Sequence, residues 1–185
     1  MKKMTTLFKK NPENLGRVIN ELNPKNAWVY ESGIATRKFD GTACAIINGE
    51  LYKRYDAKKG KKAPEGAIPC QEADEQTGHH PHWVKCDRND KSVKYHFEAF
   101  DKLDAKENGT YELCGPKINK NKEKFAEHLL IPHGLELLNL KDFTFKRIKE
   151  YLENPANDIE GIVFHDSKGT GKMCKIRKSD FGIKR

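Results

Sequence analysis

The chain has 185 residues, with 35 basic against 27 acidic side chains and a net charge of +8. That length holds one compact domain, with or without a small appendage, and excludes a multidomain machine. An apolar content of 36% with 9% aromatics excludes a wholly disordered chain, and the positive balance suits an anionic partner such as a nucleotide or nucleic acid.

In chain order, Asn11-Pro12-Glu13 is expected to cap a first helix, with Leu15, Val18, Ile19 and Leu22 on one face before Pro24 stops it. Strands are predicted over 28–30, 34–39, 42–47 and 51–55, with Asn48-Gly49 as a hairpin turn. A long surface loop, 58–82, follows, rich in Lys, Gly and Pro at its start. Residues 93–100 and 110–114 read as further strands. Helices are predicted over 122–130 and 142–152, the second with Phe145, Ile148 and Leu152 in step. The stretches 159–165 and 173–178 flank a Ser-Lys-Gly-Thr-Gly turn and form a last hairpin. The expected fold is α+β: one domain over 1–185, built of antiparallel sheets flanked by helices, with 1–26 as a helical segment packed on it.

No apolar run approaches the roughly 20 residues that cross a bilayer, and the N-terminus lacks the apolar core of a secretory signal. A cytoplasmic protein with no membrane partner is therefore expected. The five cysteines lack paired spacing and are expected as free thiols. Cys70, His80, His82 and Cys86 are zinc-ligand types in one polar stretch, but they show no C-x₂-C or H-x₃-H pair, and a solvated histidine-rich loop is the expectation.

Lys38-Phe39-Asp40-Gly41 stands at the end of a predicted strand. Alone it also fits a hairpin corner. On a strand, Lys38 and Asp40 would share a face and offer an amine and a carboxylate to one ligand, while Gly41 would let backbone approach a bound group. Farther on come Tyr111-Glu112-Leu113-Cys114-Gly115, Glu160-Gly161-Ile162-Val163 and Lys175-Ile176-Arg177. The ordered series K-x-D-G, Y-E-L-x-G, E-G-I-V and K-x-R resembles the covalent nucleotidyltransferases: DNA ligases, RNA ligases and mRNA capping enzymes. Arg54 through Gly60, Pro64 through Thr77-Gly78-His79 to Trp83, Gly115 through Asn119, and Pro132-His133-Gly134 are similar to the RNA ligase 1-like family of phages, bacteria and vertebrates, from about Ile34 onward.

The resemblance implies a single nucleotidyltransferase domain and an ATP-dependent RNA ligase. A lysine takes AMP from ATP, AMP passes to an RNA 5′-phosphate, and a 3′-hydroxyl displaces it. Lys38 matches the nucleophile, and Glu160 and Lys175 match further catalytic positions. Nucleotide binding falls by the same carry-over to Arg37, Lys38, Asp40, Gly41, Arg54, Glu112 (ribose hydroxyls), Glu160, Val163 (adenine face), Lys175 and Arg177. Glu160 is the expected ligand of Mg²⁺, with Mn²⁺ as a substitute. The stretch His128–His133 is the candidate for the second adenine face.

The attacking lysine must lose its proton, and cationic neighbours such as Lys175, Arg177 and Arg54 or desolvation favour that loss. The chain stops seven residues after Lys178, which leaves no room for the OB-fold domain of DNA ligases and capping enzymes and favours an RNA ligase acting on 5′-phosphate and 3′-hydroxyl ends, expected as a monomer. Alternatives are a DNA ligase, a capping-type enzyme, or a non-catalytic basic module that binds RNA or nucleotide. The lysine-heavy composition suits a phage or bacterial source.

Overall fold

The computed structural model describes residues 4–74 and 78–185. The strands are, in chain order, β1 (Thr5–Thr6), β2 (Phe8–Asn11), β3 (Asn14–Leu22), β4 (Gly33–Lys38), β5 (Thr42–Ile47), β6 (Glu50–Ala57), β7 (Ile68–Pro69), β8 (His80–Lys85), β9 (Gly109–Cys114), β10 (Leu129–Pro132), β11 (Gly161–Asp166) and β12 (Met173–Arg177). The α-helices are α1 (Val29–Ser32), α2 (Lys94–Phe100) and α3 (Phe145–Glu153). Strands outnumber helices and nearly all pair antiparallel, so the α+β class stands; β1 with β12 is a parallel pair.

Contacts divide the chain into two compact units, and Asp40–His133 belongs to one of them. Its sheet runs β10-β9-β5-β6-β8-β7. One face packs Cys44, Ile46, Leu51, Tyr111, Leu113 and Leu130 against Val93, Ala99 and Phe100 from the α2 region. Asn48 and Gly49, at φ +51° and +77°, close the β5–β6 hairpin as the sequence predicts, because a two-residue turn of this hand needs left-handed backbone at both positions.

The other unit takes in Met4–Phe39 and Gly134–Arg185. Its sheet runs β1-β12-β11-β4, beside the β2–β3 hairpin. Ala35, Ile162, Phe164, Cys174 and Ile176 form one face of that sheet and pack on Leu7, Phe8, Val29, Ile148 and Leu152. Phe145, Ile148 and Leu152 do face this core from α3, as their spacing predicts.

Four local expectations are overturned. Residues 8–22 are a hairpin and not a helix, so the described part of the N-terminal segment 1–26 carries no α-helix. Pro12 and Glu13 turn the chain, the Glu13 amide donating to Asn11 Oδ1 at 2.9 Å; Gly16 weakens a helix interior, and the β-branched Val18 and Ile19 suit a strand. Leu15, counted on the helical face, is 72% exposed.

Residues 29–32 are α1 and not a strand. It follows a 3₁₀ turn at Pro24–Asn26 whose Lys25 amide is capped by the Asn23 side chain.

Residues 94–100 are helical as well: Asp90 caps the preceding turn by accepting from the Ser92 amide, and Val93, Phe97 and Phe100 follow helical spacing. The predicted helix 122–130 is absent. Asn119, Lys120, Asn121 and Lys124 have positive φ, and the Asn121 side chain both accepts from the Phe125 amide and donates to its carbonyl. Such local bonds compete with helix formation. The loop 58–82 contains β7 and the start of β8, and its Thr77 lies outside the described residues.

Candidate functional site

In the unit holding β4, β11 and β12, register brings three of the four motifs together. Gly161 pairs with Lys38 on one side and Arg177 on the other. Two residues along, Val163 lies between Thr36 and Lys175. Because strand side chains alternate, Lys38, Val163, Lys175 and Arg177 share the face opposite the core. A Cβ on Gly161 would lie 2.3 Å from the Ile176 carbonyl oxygen and 2.7 Å from the Arg177 Cα. The glycine of E-G-I-V is thus the residue that lets β11 lie this close to β12.

Glu160 immediately precedes β11. The Lys38 Nζ donates to Glu160 Oε2 at 2.5 Å and to the Phe39 carbonyl at 3.2 Å. The two side chains are 18% and 21% exposed, largely shielded but still in touch with solvent. Lys175 carries a marked shift: its ammonium is pushed down to about 8, first by burial and then by Arg177 and Lys38, with Glu160 and Asp180 opposing.

Asp180 is fully buried. It accepts from the Arg177 amide at 2.9 Å, from Arg177 Nη2 at 3.1 Å and from Lys10 Nζ at 2.7 Å. These donors hold its carboxyl below the ordinary carboxylate range although burial acts the other way. Asp180 and Lys10 escaped the sequence reading. Asp180, three residues past Arg177, carries a capping signal, whereas Lys10 arrives from a distant hairpin. Arg37 alternates to the face opposite Lys38; it pairs with Glu136 at 3.3 Å and its guanidinium lies 4.6 Å from the centre of the Phe39 ring.

A depressed carboxyl contributes stability that is complete above its unfolded value and is lost as pH falls through the lower folded value. Asp180→Asn should therefore lower the melting temperature at pH 7 and flatten the acid limb of the profile below about pH 4. Melting curves between pH 2 and 7 check this, and equal acid limbs in both proteins would refute it.

In the unit 40–133, Glu112 lies on the sheet face away from its core, between Ala43 and Ile131. It is 9% exposed and both its oxygens are engaged. Oε1 accepts from the Gly41 amide at 3.2 Å, and His133 Nε2 lies 2.8 Å from Oε2. An ionised carboxylate only accepts, so Nε2 carries the proton, and Nδ1 takes the Thr110 hydroxyl at 2.9 Å.

A Cβ on Gly41 would meet the Leu113 carbonyl at 2.3 Å, so the close approach that the glycine permits is to β9 of the protein itself. β4 ends at Lys38, and Asp40 lies beyond the strand, its carboxylate held by Asn119 at 3.0 Å and Lys122 at 3.1 Å. Arg54 bonds Asp56 at 2.9 Å and lies 5.8 Å from the Trp83 ring centre.

Of the stretch 128–133, His128 is spoken for. It accepts from the Lys117 amide, donates to Glu98 and stacks on Tyr95 at 4.4 Å. Cys86 is a core residue whose thiol is pushed up to about 11, chiefly by burial. Among the described residues no group of three or more histidine, cysteine or acidic side chains is placed to hold a metal ion, and no helix is long and apolar enough to cross a membrane.

No protein-family model matches the chain. One curated relative, RNA ligase 1 of Pongo abelii, is 27% identical to it. The match takes in 82% of this chain and 68% of the relative, so most of the sequence, and not a single motif, is similar to a protein named as an RNA ligase.

Proposed function

We propose that the chain is an ATP-dependent RNA ligase that works through a covalent lysyl-AMP. The observation that carries this reading is the Lys38–Glu160 pair, with Lys175 and Arg177 on the same sheet face, in a chain similar to an RNA ligase over most of its length. A lysine held beside a carboxylate among cations can meet a polyphosphate, lose its proton locally and attack phosphorus.

In the first step the Lys38 nitrogen bonds the α-phosphorus of ATP, the bond to pyrophosphate breaks, and the proton leaves the amine, for which Glu160 is the acceptor already in contact. Next, an oxygen of an RNA 5′-phosphate bonds that phosphorus and Lys38 departs, regaining a proton. Finally the RNA 3′-hydroxyl oxygen bonds the 5′-phosphorus, the phosphoanhydride bond to AMP breaks, and the hydroxyl proton passes to solvent as AMP leaves.

Lys175 and Arg177 are assigned to phosphate oxygens, and Val163 to the adenine. Glu112, oriented by the Gly41 amide and His133, is assigned to the ribose hydroxyls, and Arg54 to a phosphate. Asp180 acts through Arg177 and is a positioning residue. Glu160 offers a hard oxygen donor that is partly open, which fits Mg²⁺ or Mn²⁺, since such an ion takes one or two carboxylates and keeps several waters. When bound, the ion supplies charge neutralisation on the phosphates.

Incubation with ATP labelled at the α-phosphate and Mg²⁺, followed by denaturing electrophoresis, tests the reading directly. Label that survives denaturation, and that unlabelled pyrophosphate removes, is the expected result. A non-catalytic module predicts no such label, and label taken from GTP in preference to ATP would favour capping-type chemistry.

A further inference from the structure

Beyond β6 the chain reads Lys58-Lys59-Gly60-Lys61-Lys62. The Lys61 amide donates to the Lys58 carbonyl at 2.9 Å, and Gly60 has φ +77°. That is a tight turn with glycine where left-handed backbone is required. Such a turn brings its first and last Cα atoms within about 7 Å, so four exposed lysines are carried on one corner.

Several lysines elsewhere on the surface are met by carboxylates, among them Lys9 by Glu21, Lys85 by Glu50 and Lys102 by Glu127. None of the four makes an ion pair among the described residues, and Glu65 is the one acidic residue between Lys58 and Ala67. Like charges held this close repel one another, and an external anion carrying several charges relieves the repulsion.

A second feature stands beside the turn. Tyr55, on β6, is 37% exposed. It precedes Lys58 by three residues, about 10 Å along an extended strand. A partly exposed aromatic ring near clustered lysines is a combination that holds single-stranded nucleic acid, bases stacking on the ring while ammonium groups track the phosphates.

We infer that the Lys58–Lys62 turn is a phosphate-binding site for single-stranded RNA, with Tyr55 as its base platform. The identity of the polyanion rests on the ligase reading; the charge cluster and the exposed ring do not.

The test uses the full chain and a short labelled single-stranded RNA, its affinity measured across a range of NaCl concentrations. Each phosphate contact on a single strand contributes about 0.7 to the slope of log affinity against log salt. The quadruple variant K58Q/K59Q/K61Q/K62Q should therefore bind about tenfold or more weakly at low salt, with a slope shallower by roughly 2 to 3. Tyr55→Ala should lose about tenfold in affinity, and Tyr55→Phe should keep it. All these variants should take label from ATP as the unaltered protein does.

Unchanged affinity and slope in the quadruple variant would overturn the inference. So would polyglutamate competing as well as RNA while Tyr55→Ala has no effect, because the turn would then bind any polyanion. RNA binding with the expected losses, in a protein that never takes label from ATP, would leave this site standing and refute the ligase reading.

Discussion

Lys38→Arg should abolish transfer of label from ATP to the protein while sparing the sealing of RNA supplied already adenylated at its 5′ end. A guanidinium keeps its proton at any accessible pH and offers no lone pair, so arginine preserves the charge and removes the nucleophile. The ion pair to Glu160 can persist, since a guanidinium reaches a carboxylate readily. Sealing of adenylated RNA needs only the 3′-hydroxyl to attack an already activated phosphate, with Glu160, Lys175 and Arg177 intact. Quantitative gels of both steps check the separation. Label retained by Lys38→Arg would show that another residue carries the nucleotide. Loss of both steps would show that Lys38 also orients the phosphate in a way arginine cannot copy.

The juxtaposition of the candidate residues was legible where they sit on regular strands. Lys38, Gly161, Lys175 and Arg177 come into adjacent rows because β4, β11 and β12 are apolar, alternating segments whose register follows from burying Ala35, Ile162, Phe164, Cys174 and Ile176. The turn at Asn48-Gly49 was equally plain, since few sequences supply two left-handed residues in a row.

Reading failed where one segment satisfied two periods. Val93, Tyr95 and Phe97 alternate like a strand, yet Val93, Phe97 and Phe100 also keep helical step, and the 3₁₀ turn that Asp90 caps leads directly into the helix. At 122–130 helical composition loses to asparagine side chains that bond the backbone locally. Other features were invisible because they depend on tertiary contact. Arg37 is adjacent to Lys38 but on the other face, Gly41 is tight against β9, and His133 reaches Glu112 from the end of the neighbouring strand. Asp180 could have been suspected from its spacing to Arg177, but not its bond to Lys10.

Lys175→Met should slow label transfer from ATP by about 10²-fold or more, the cost of removing a preorganised charge from a reacting phosphate, and should at the same time raise the melting temperature at pH 7. The second half follows from the direction of its shift. The unfolded lysine protonates near 10.5 and the folded one near 8, so between those values the unfolded chain binds more protons and stability rises with pH. Below pH 8 the folded protein carries an ammonium that burial and the charges of Arg177 and Lys38 disfavour. Methionine has similar length and no charge, and it removes that burden, whose size shrinks as pH climbs toward 10.5. Glu160→Gln should share the loss of activity, since it removes the carboxylate proposed to receive the Lys38 proton and to hold the ion, but it takes a carboxylate from beside three cations and should not share the gain in stability. Opposite signs in melting temperature with the same sign in activity would identify Lys175 as a charge kept for chemistry at the expense of the fold. A Lys175→Met protein that melts no higher at pH 7 than the unaltered one, or that labels at the normal rate, would refute this account of the residue.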